Sequence, residues 1–136
     1  MTDPDIRLFR TNRRGASPGG HYSHAVAAGG FVFVSGQLPI GPDGSKDPTR
    51  PIEEQVRLAL ANVREALAAA GADLHQVVKV TAYLTTEDHW AAFNAVYAEF
   101  FGDHRPARAV VPVSPLHYGF LVEVDAVAFV GGAAKA

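Results

Sequence analysis

The sequence predicts an α+β domain in which two helices cover one face of a sheet. Two stretches repeat apolar residues at helical spacing, while the others are short and rich in β-branched and aromatic residues. Their order along the chain is β-β-α-β-α-β-β, and two helices can cover one face of such a sheet and no more. With 136 residues, 48% of them hydrophobic, the chain is long enough for one core and too short for two.

Residues 1–18 are expected to form an irregular N-terminal arm. Pro4, Gly15 and Pro18 interrupt it, and Arg7, Arg10, Arg13 and Arg14 read as a solvated cluster. A single domain then runs from 19 to 130. His24 to Ala28 pairs with the β-rich run Phe31–Ser35 across Gly29-Gly30. Pro39 to Gly44 is dense in turn formers. From Ile52 the period changes, and Ile52, Val56, Ala59, Leu60, Val63, Leu67 and Ala70 fall on one helical stripe. Pro51 suits its first turn, Glu53 and Glu54 its dipole, and Gly71 its stop. Val77 to Leu84 is a strand. A second helix is expected from near Thr86, with Thr85 and Asp88 at capping-box spacing, running through Trp90, Phe93 and Tyr97 to Gly102. Ala107 to Ser114 is a strand that Pro112 marks as an edge or bulge. Phe120 to Val130 is the last strand, and 131–136 is expected to be a flexible tail.

Alternation assigns the faces. Val122, Val124, Ala126 and Ala128 share one face and suit packing beneath helices, so Glu123 and Asp125 point away from them. The same reading puts Arg108, Val110, Lys79, Thr81, Tyr83 and Leu121 on the uncovered face with those two acids. Such a mixture suits an oligomer interface enclosing a wet polar pocket.

Composition excludes several functions. Lys and Arg number 12 against 14 Asp and Glu, a formal charge of -2, which provides no basic footprint for nucleic acid and no polybasic membrane signal. No apolar run approaches a membrane span and no leader opens the chain, which leads us to expect a cytoplasmic protein. There is no Cys, so disulfides, a cysteine nucleophile and thiolate metal sites are excluded. Gly-x-Ser-x-Gly, Gly-x-Gly-x-x-Gly and P-loop patterns are absent, so neither a hydrolase serine nor a nucleotide cofactor is expected. His21 and His24 have His-x-x-His spacing, but in loop or strand context with no third ligand, and no metal is expected.

The candidate chemistry lies in a few residues. Arg108 could fork onto a carboxylate with two parallel hydrogen bonds, or form an interface salt bridge to Glu123 or Asp125. Glu123, mid-strand among apolar residues, could carry a raised pKa and move protons near neutrality, or pair with Arg108 or Lys79. Asp125 could be a second acid or only a structural hydrogen-bond acceptor. Tyr22 follows Gly19 and Gly20, which would let backbone approach a ligand closely. Asn94 either reaches a site or faces water. Trp90, Phe93, Phe100 and Phe101 read as core, and His75, His89, His104 and His117 as exposed.

Taken together, the motifs resemble the Rid family, also called the YjgF or RidA family of reactive-intermediate deaminases. The resemblance lies in Tyr22-Ser-His-Ala-Val26, Phe31-Val-Phe-Val-Ser-Gly-Gln-Leu-Pro39 and Ile52-Glu-Glu-Gln55 with Asn62-Val63. It extends through Val77-Val-Lys-Val-Thr81, Phe93-Asn-Ala-Val-Tyr-Ala-Glu-Phe-Phe101, Pro106-Ala-Arg108 and Val122-Glu-Val-Asp-Ala126. It implies a chorismate-mutase-like fold and a homotrimer with clefts between subunits. It also implies cofactor-free hydrolysis of enamines and imines of small 2-keto acids, such as 2-iminopropanoate and 2-iminobutanoate, releasing ammonia and the keto acid. Arg108 and Glu123 would be catalytic, one holding the substrate carboxylate and the other positioning water and shuttling the proton. Tyr22, His24, Ser35, Gly36, Asn94 and Val110 would line the cleft.

The chain departs from the family pattern in places. Arg108-Ala-Val110 stands where the family often has Arg-Ser-Cys or Arg-Thr-Cys, leaving a more apolar wall and no thiol redox switch. His21 and His24 replace the family's proline and glutamine, and Leu116-His-Tyr-Gly119 replaces Leu-Pro-x-Gly. These changes keep open a larger substrate of the 2-aminomuconate kind, or a non-catalytic trimer that binds a small carboxylate or a protein partner.

Overall fold

The computed structural model describes residues 3–11 and 20–131. A six-stranded sheet runs in the order β1-β2-β3-β6-β4-β5. Its strands are β1 Arg7–Phe9, β2 Ala25–Ala28, β3 Phe31–Gln37, β4 Val77–Leu84, β5 Ala107–Pro112 and β6 Val122–Phe129. Helix α1 spans Ile52–Ala69 and α2 spans Trp90–Phe101. β4 and β5 are parallel and joined through α2, while the other neighbouring pairs are antiparallel. α1 carries the chain from β3 to β4, and β6 slots between those two strands. Connections of this kind share one hand, which places both helices on the same face.

The predicted stripe of α1 is buried: Val56, Ala59 and Leu60 are fully enclosed, against Val124 and Ala128 of β6 and Val32 of β3 in one core. Two buried polar residues on α1 tie down the loops. Asn62 donates to the carbonyls of Leu38 and Ile40, both at 2.9 Å. Gln55 donates to Pro48 and Arg50 and accepts the Leu121 amide at 2.9 Å, fixing the chain two residues before Glu123.

Several expectations are corrected. The N-terminal arm is not irregular throughout, because β1 pairs with β2 with Arg7 opposite Ala27. The rest of the arm, 12–18, and the tail from 132 lie outside the described residues. Thr86, not Thr85, is the cap: its hydroxyl accepts the Asp88 amide over a short 3-10 turn, Glu87–His89, and α2 follows at Trp90. Thr85 instead bonds Leu121 through its backbone. Pro112 ends β5 at the sheet edge, where its missing N–H costs no ladder bond. The residues of β6 predicted to face the helices do so, all at most 2% exposed. On β5, however, the parity is reversed. Arg108 stands beside Val80, and Val110 beside Ala82, both buried under the helices, so Arg108 and Val110 lie on the helix side. Alternation groups the residues of a strand correctly but leaves open which group faces which way, and β5 has no fully buried residue to decide it. Among the described residues, no helix is long and apolar enough to cross a membrane.

Candidate functional site

Arg108 is held by one stripe of α2. Its Nη1 donates to Asn94 Oδ1 at 2.9 Å. The guanidinium carbon lies 4.7 Å from the Tyr97 ring centroid, 5.7 Å from Phe93 and 5.8 Å from Trp90. Residues 90, 93, 94 and 97 fall on one helical face, so the spacing of α2 builds the cage. A cation over aromatic faces gains about 0.5–2 kcal/mol without spending a hydrogen bond. Neither proposed salt bridge forms: among the described residues no carboxylate pairs with Arg108. The fork therefore keeps donors for an incoming carboxylate. Burial pushes the Tyr97 phenol up to about 12, opposed by the Arg108 charge, so it remains a neutral wall of the cage.

Two hollows flank this arginine. One, of about 490 Å³, includes Asn94, Tyr97, His104, Arg105 and Arg108 in its wall. The other, of about 390 Å³, is lined by Leu84, Glu87, Trp90, Val110 and Pro112.

Glu123 lies on the opposite face of the sheet, half-buried and across from Tyr83 on β4. Burial, and next the charge of Asp125, raise its pKa above the ordinary carboxylate value, with His117 acting in the other direction. A carboxyl whose proton is held more tightly than usual is a candidate to take and return one. Tyr83 donates to Asp125 Oδ2 at 2.9 Å, so Asp125 is a structural acceptor. Glu123 makes no ion pair with Lys79 or Arg108. The Glu123 carboxylate rests on Gly36, where a Cβ would collide with it and lie 3.0 Å from Cδ. The β3–β6 ladder shifts register between Val34 and Gln37, putting Ser35 and Gly36 in that irregularity.

The remaining candidates divide. The Ser35 hydroxyl donates to the Ser23 carbonyl at 2.6 Å, so it supports the loop before β2. Tyr22 is exposed and meets His24 edge-on at 6.4 Å. His24 is 1% exposed, and its Nδ1 accepts the Thr11 amide at 2.9 Å, which makes it an internal tie between β1 and β2 rather than a wall of an open cleft. Asn94 binds Arg108 rather than facing water. Val110 lines the smaller hollow. Sequence reasoning missed two residues. Trp90 reads as core from its spacing yet is 45% exposed beside Arg108. His117 reads as a stray surface residue, but it stands close enough to Glu123 to lower that carboxyl's pKa, and its ring meets Tyr118 at a tilt with centroids 3.8 Å apart. Only the pairing of strands reveals either role.

One chain thus places a caged guanidinium on one face and a carboxyl with a raised pKa on the other. The family model described as Endoribonuclease L-PSP matches residues 14–130. A RutC family protein of Pyrococcus horikoshii is 44% identical over 112 residues, 82% of this chain and 89% of its own. An Escherichia coli K12 protein named "Putative reactive intermediate deaminase TdcF" is 35% identical over 127 residues, 90% of this chain and 95% of its own. The crystal structure of E. coli TdcF with bound serine has a TM-score of 0.82 at 32% identity, over 90% of this chain and 98% of that one. The Rid family protein YyfA of Yersinia pestis gives 0.84 at 36% identity, over 92% and 99%. The chain belongs to this family, which carries the Rid, RutC and YjgF names.

Proposed function

We propose that the protein is a cofactor-free hydrolytic deaminase of imines and enamines of small 2-keto acids. The observation that carries this reading is the caged Arg108, a preoriented guanidinium with no acid partner among the described residues. The serine in the TdcF structure supports a site for a small amino-acid-like carboxylate. A charge of -2 favours such a ligand over nucleic acid.

Because Arg108 and Glu123 point to opposite faces, the working site joins two copies of the chain. Arg108 of one copy meets Glu123 and Gly36 of the next, and a closed homotrimer supplies each cleft once. The substrate carboxylate forks onto Arg108. Glu123 accepts a proton from water as its oxygen adds to the C=N carbon and passes it to the imine nitrogen, giving a carbinolamine. Glu123 then takes the hydroxyl proton as the C=O forms and the C–N bond breaks. It delivers that second proton to the departing nitrogen, and R–C(=NH)–COO⁻ plus H₂O gives R–CO–COO⁻ plus NH₃. An enamine enters by protonation at its β-carbon. Orientation is the main contribution, since imine hydrolysis is intrinsically easy.

The test generates 2-iminopropanoate and 2-iminobutanoate in situ with an amino-acid oxidase and times their trapping by semicarbazide. The wild type should accelerate imine loss, and Arg108→Ala should abolish the acceleration. Loss at the background rate with assembled wild type would overturn the reading, and the binding-only trimer would replace it.

A further inference from the structure

The smaller hollow beside Arg108 differs in kind from the larger. Four of its five lining residues, Leu84, Trp90, Val110 and Pro112, are apolar, and its one charged group is the exposed Glu87. The larger hollow is walled by His104, Arg105 and Arg108. Trp90 joins the small hollow to the caged guanidinium: its ring lies 5.8 Å from the Arg108 guanidinium carbon, it lines the hollow, and it is 45% exposed. Val110 stands two residues beyond Arg108 on β5 and on the same side of the sheet, a separation of about 7 Å. The smaller hollow thus opens one strand repeat along β5 from Arg108. Open indole, valine and proline surfaces gain from covering by apolar groups, and Glu87 disfavours a second carboxylate there.

We propose that this hollow seats the substituent on C2 of the substrate, so that the protein is selective for imines with branched aliphatic or aromatic side chains. This rests on the deaminase reading above and names its substrate class. Trp90 and Val110 are the specificity-determining residues. Each methylene buried is worth roughly fourfold in kcat/KM, so an isobutyl group in place of methyl gains about tenfold or more even with partial burial.

The experiment compares kcat/KM for 2-iminopropanoate, 2-imino-4-methylpentanoate, 2-imino-3-phenylpropanoate and 2-iminoglutarate, each generated from its amino acid by an oxidase. The wild type should favour the two apolar imines over 2-iminopropanoate by about tenfold, with 2-iminoglutarate no better than 2-iminopropanoate. Val110→Thr keeps the shape and adds a hydroxyl, and it should shrink the ratio of large to small imine severalfold. Trp90→Ala should shrink it further, and Trp90→Phe should restore part of it. The ratio is internal to each preparation, so partial misfolding of a variant cancels. An active enzyme with a flat or inverted ratio, a preference for 2-iminoglutarate, or an unchanged ratio in both Val110→Thr and Trp90→Ala would overturn the proposal alone. No acceleration of any imine would overturn the deaminase reading and this proposal together.

Discussion

The carboxylate of Glu123 occupies the space that a side chain on Gly36 would need, with Cδ 3.0 Å from where a Cβ would stand. Gly36 is therefore set by close approach rather than by a left-handed backbone, since its φ is not among the positive ones. Gly36→Ala should push Glu123 aside and lower kcat/KM by about 10–100-fold, while unfolding free energy falls by only about 1 kcal/mol. Steady-state kinetics beside urea unfolding separate the two. Full activity in Gly36→Ala would show that Glu123 needs no such seat.

The cage around Arg108 gives a less intuitive expectation. Asn94→Ala removes one acceptor and should raise KM about tenfold, the worth of a charge-assisted hydrogen bond. Asn94→Asp, nearly identical in shape, should be worse, because its charge would satisfy the guanidinium and compete with the substrate carboxylate. Competitive inhibition by a keto acid measures this directly. An Asn94→Asp variant that binds at least as well as Asn94→Ala would contradict the cage as a receptor.

Glu123 sets a pH dependence with a definite sign. Its folded-state pKa is raised above the ordinary value of 4.5, by burial first and then by Asp125. The native state therefore holds this proton more tightly than the unfolded chain. Its contribution to stability declines as pH rises from the unfolded value through the raised folded one. Glu123→Gln removes that decline, so the variant should gain relative to wild type on going from acid toward neutral pH in urea titrations. Activity should follow the opposite course, with kcat/KM rising as Glu123 ionises at an apparent pKa above that of a free glutamate. An acid limb at the free-glutamate position would assign the proton transfer elsewhere.

His24 is a structural residue. It is buried, and its Nδ1 takes the Thr11 amide, so His24→Ala leaves a cavity and an orphaned donor. We expect a loss of about 2–4 kcal/mol, read by urea unfolding, with the kinetics of the folded fraction near those of wild type. A stable His24→Ala protein with impaired catalysis would return His24 to the cleft.

Much of the fold is legible in the sequence because burial imposes periods. The stripe of α1 and the inner face of β6 are almost wholly enclosed, so their spacing had one solution. β1 escaped notice because its three residues pair only at an edge and none is fully buried. The site was legible in kind but not in arrangement. Arg108, Glu123, Gly36 and Asn94 stand out by residue type and motif. The face that Arg108 occupies depends on the register of β5 against β4, fixed by the crossover through α2 and invisible to alternation within one strand. Trp90 was missed for a related reason, since helical spacing marks a residue as facing the sheet without showing that it stays 45% exposed beside Arg108.

The reading turns on Arg108 and Glu123 acting from different copies of the chain. Arg108→Ala and Glu123→Ala should each be inactive. Unfolded together, mixed in equal amounts and refolded, they should regain activity, with about one quarter of clefts holding both native residues if assembly is random and each cleft joins two neighbours. If the mixture stays as inactive as its parents while refolded wild type recovers, the two residues do not meet across subunits, and the two-copy site is wrong.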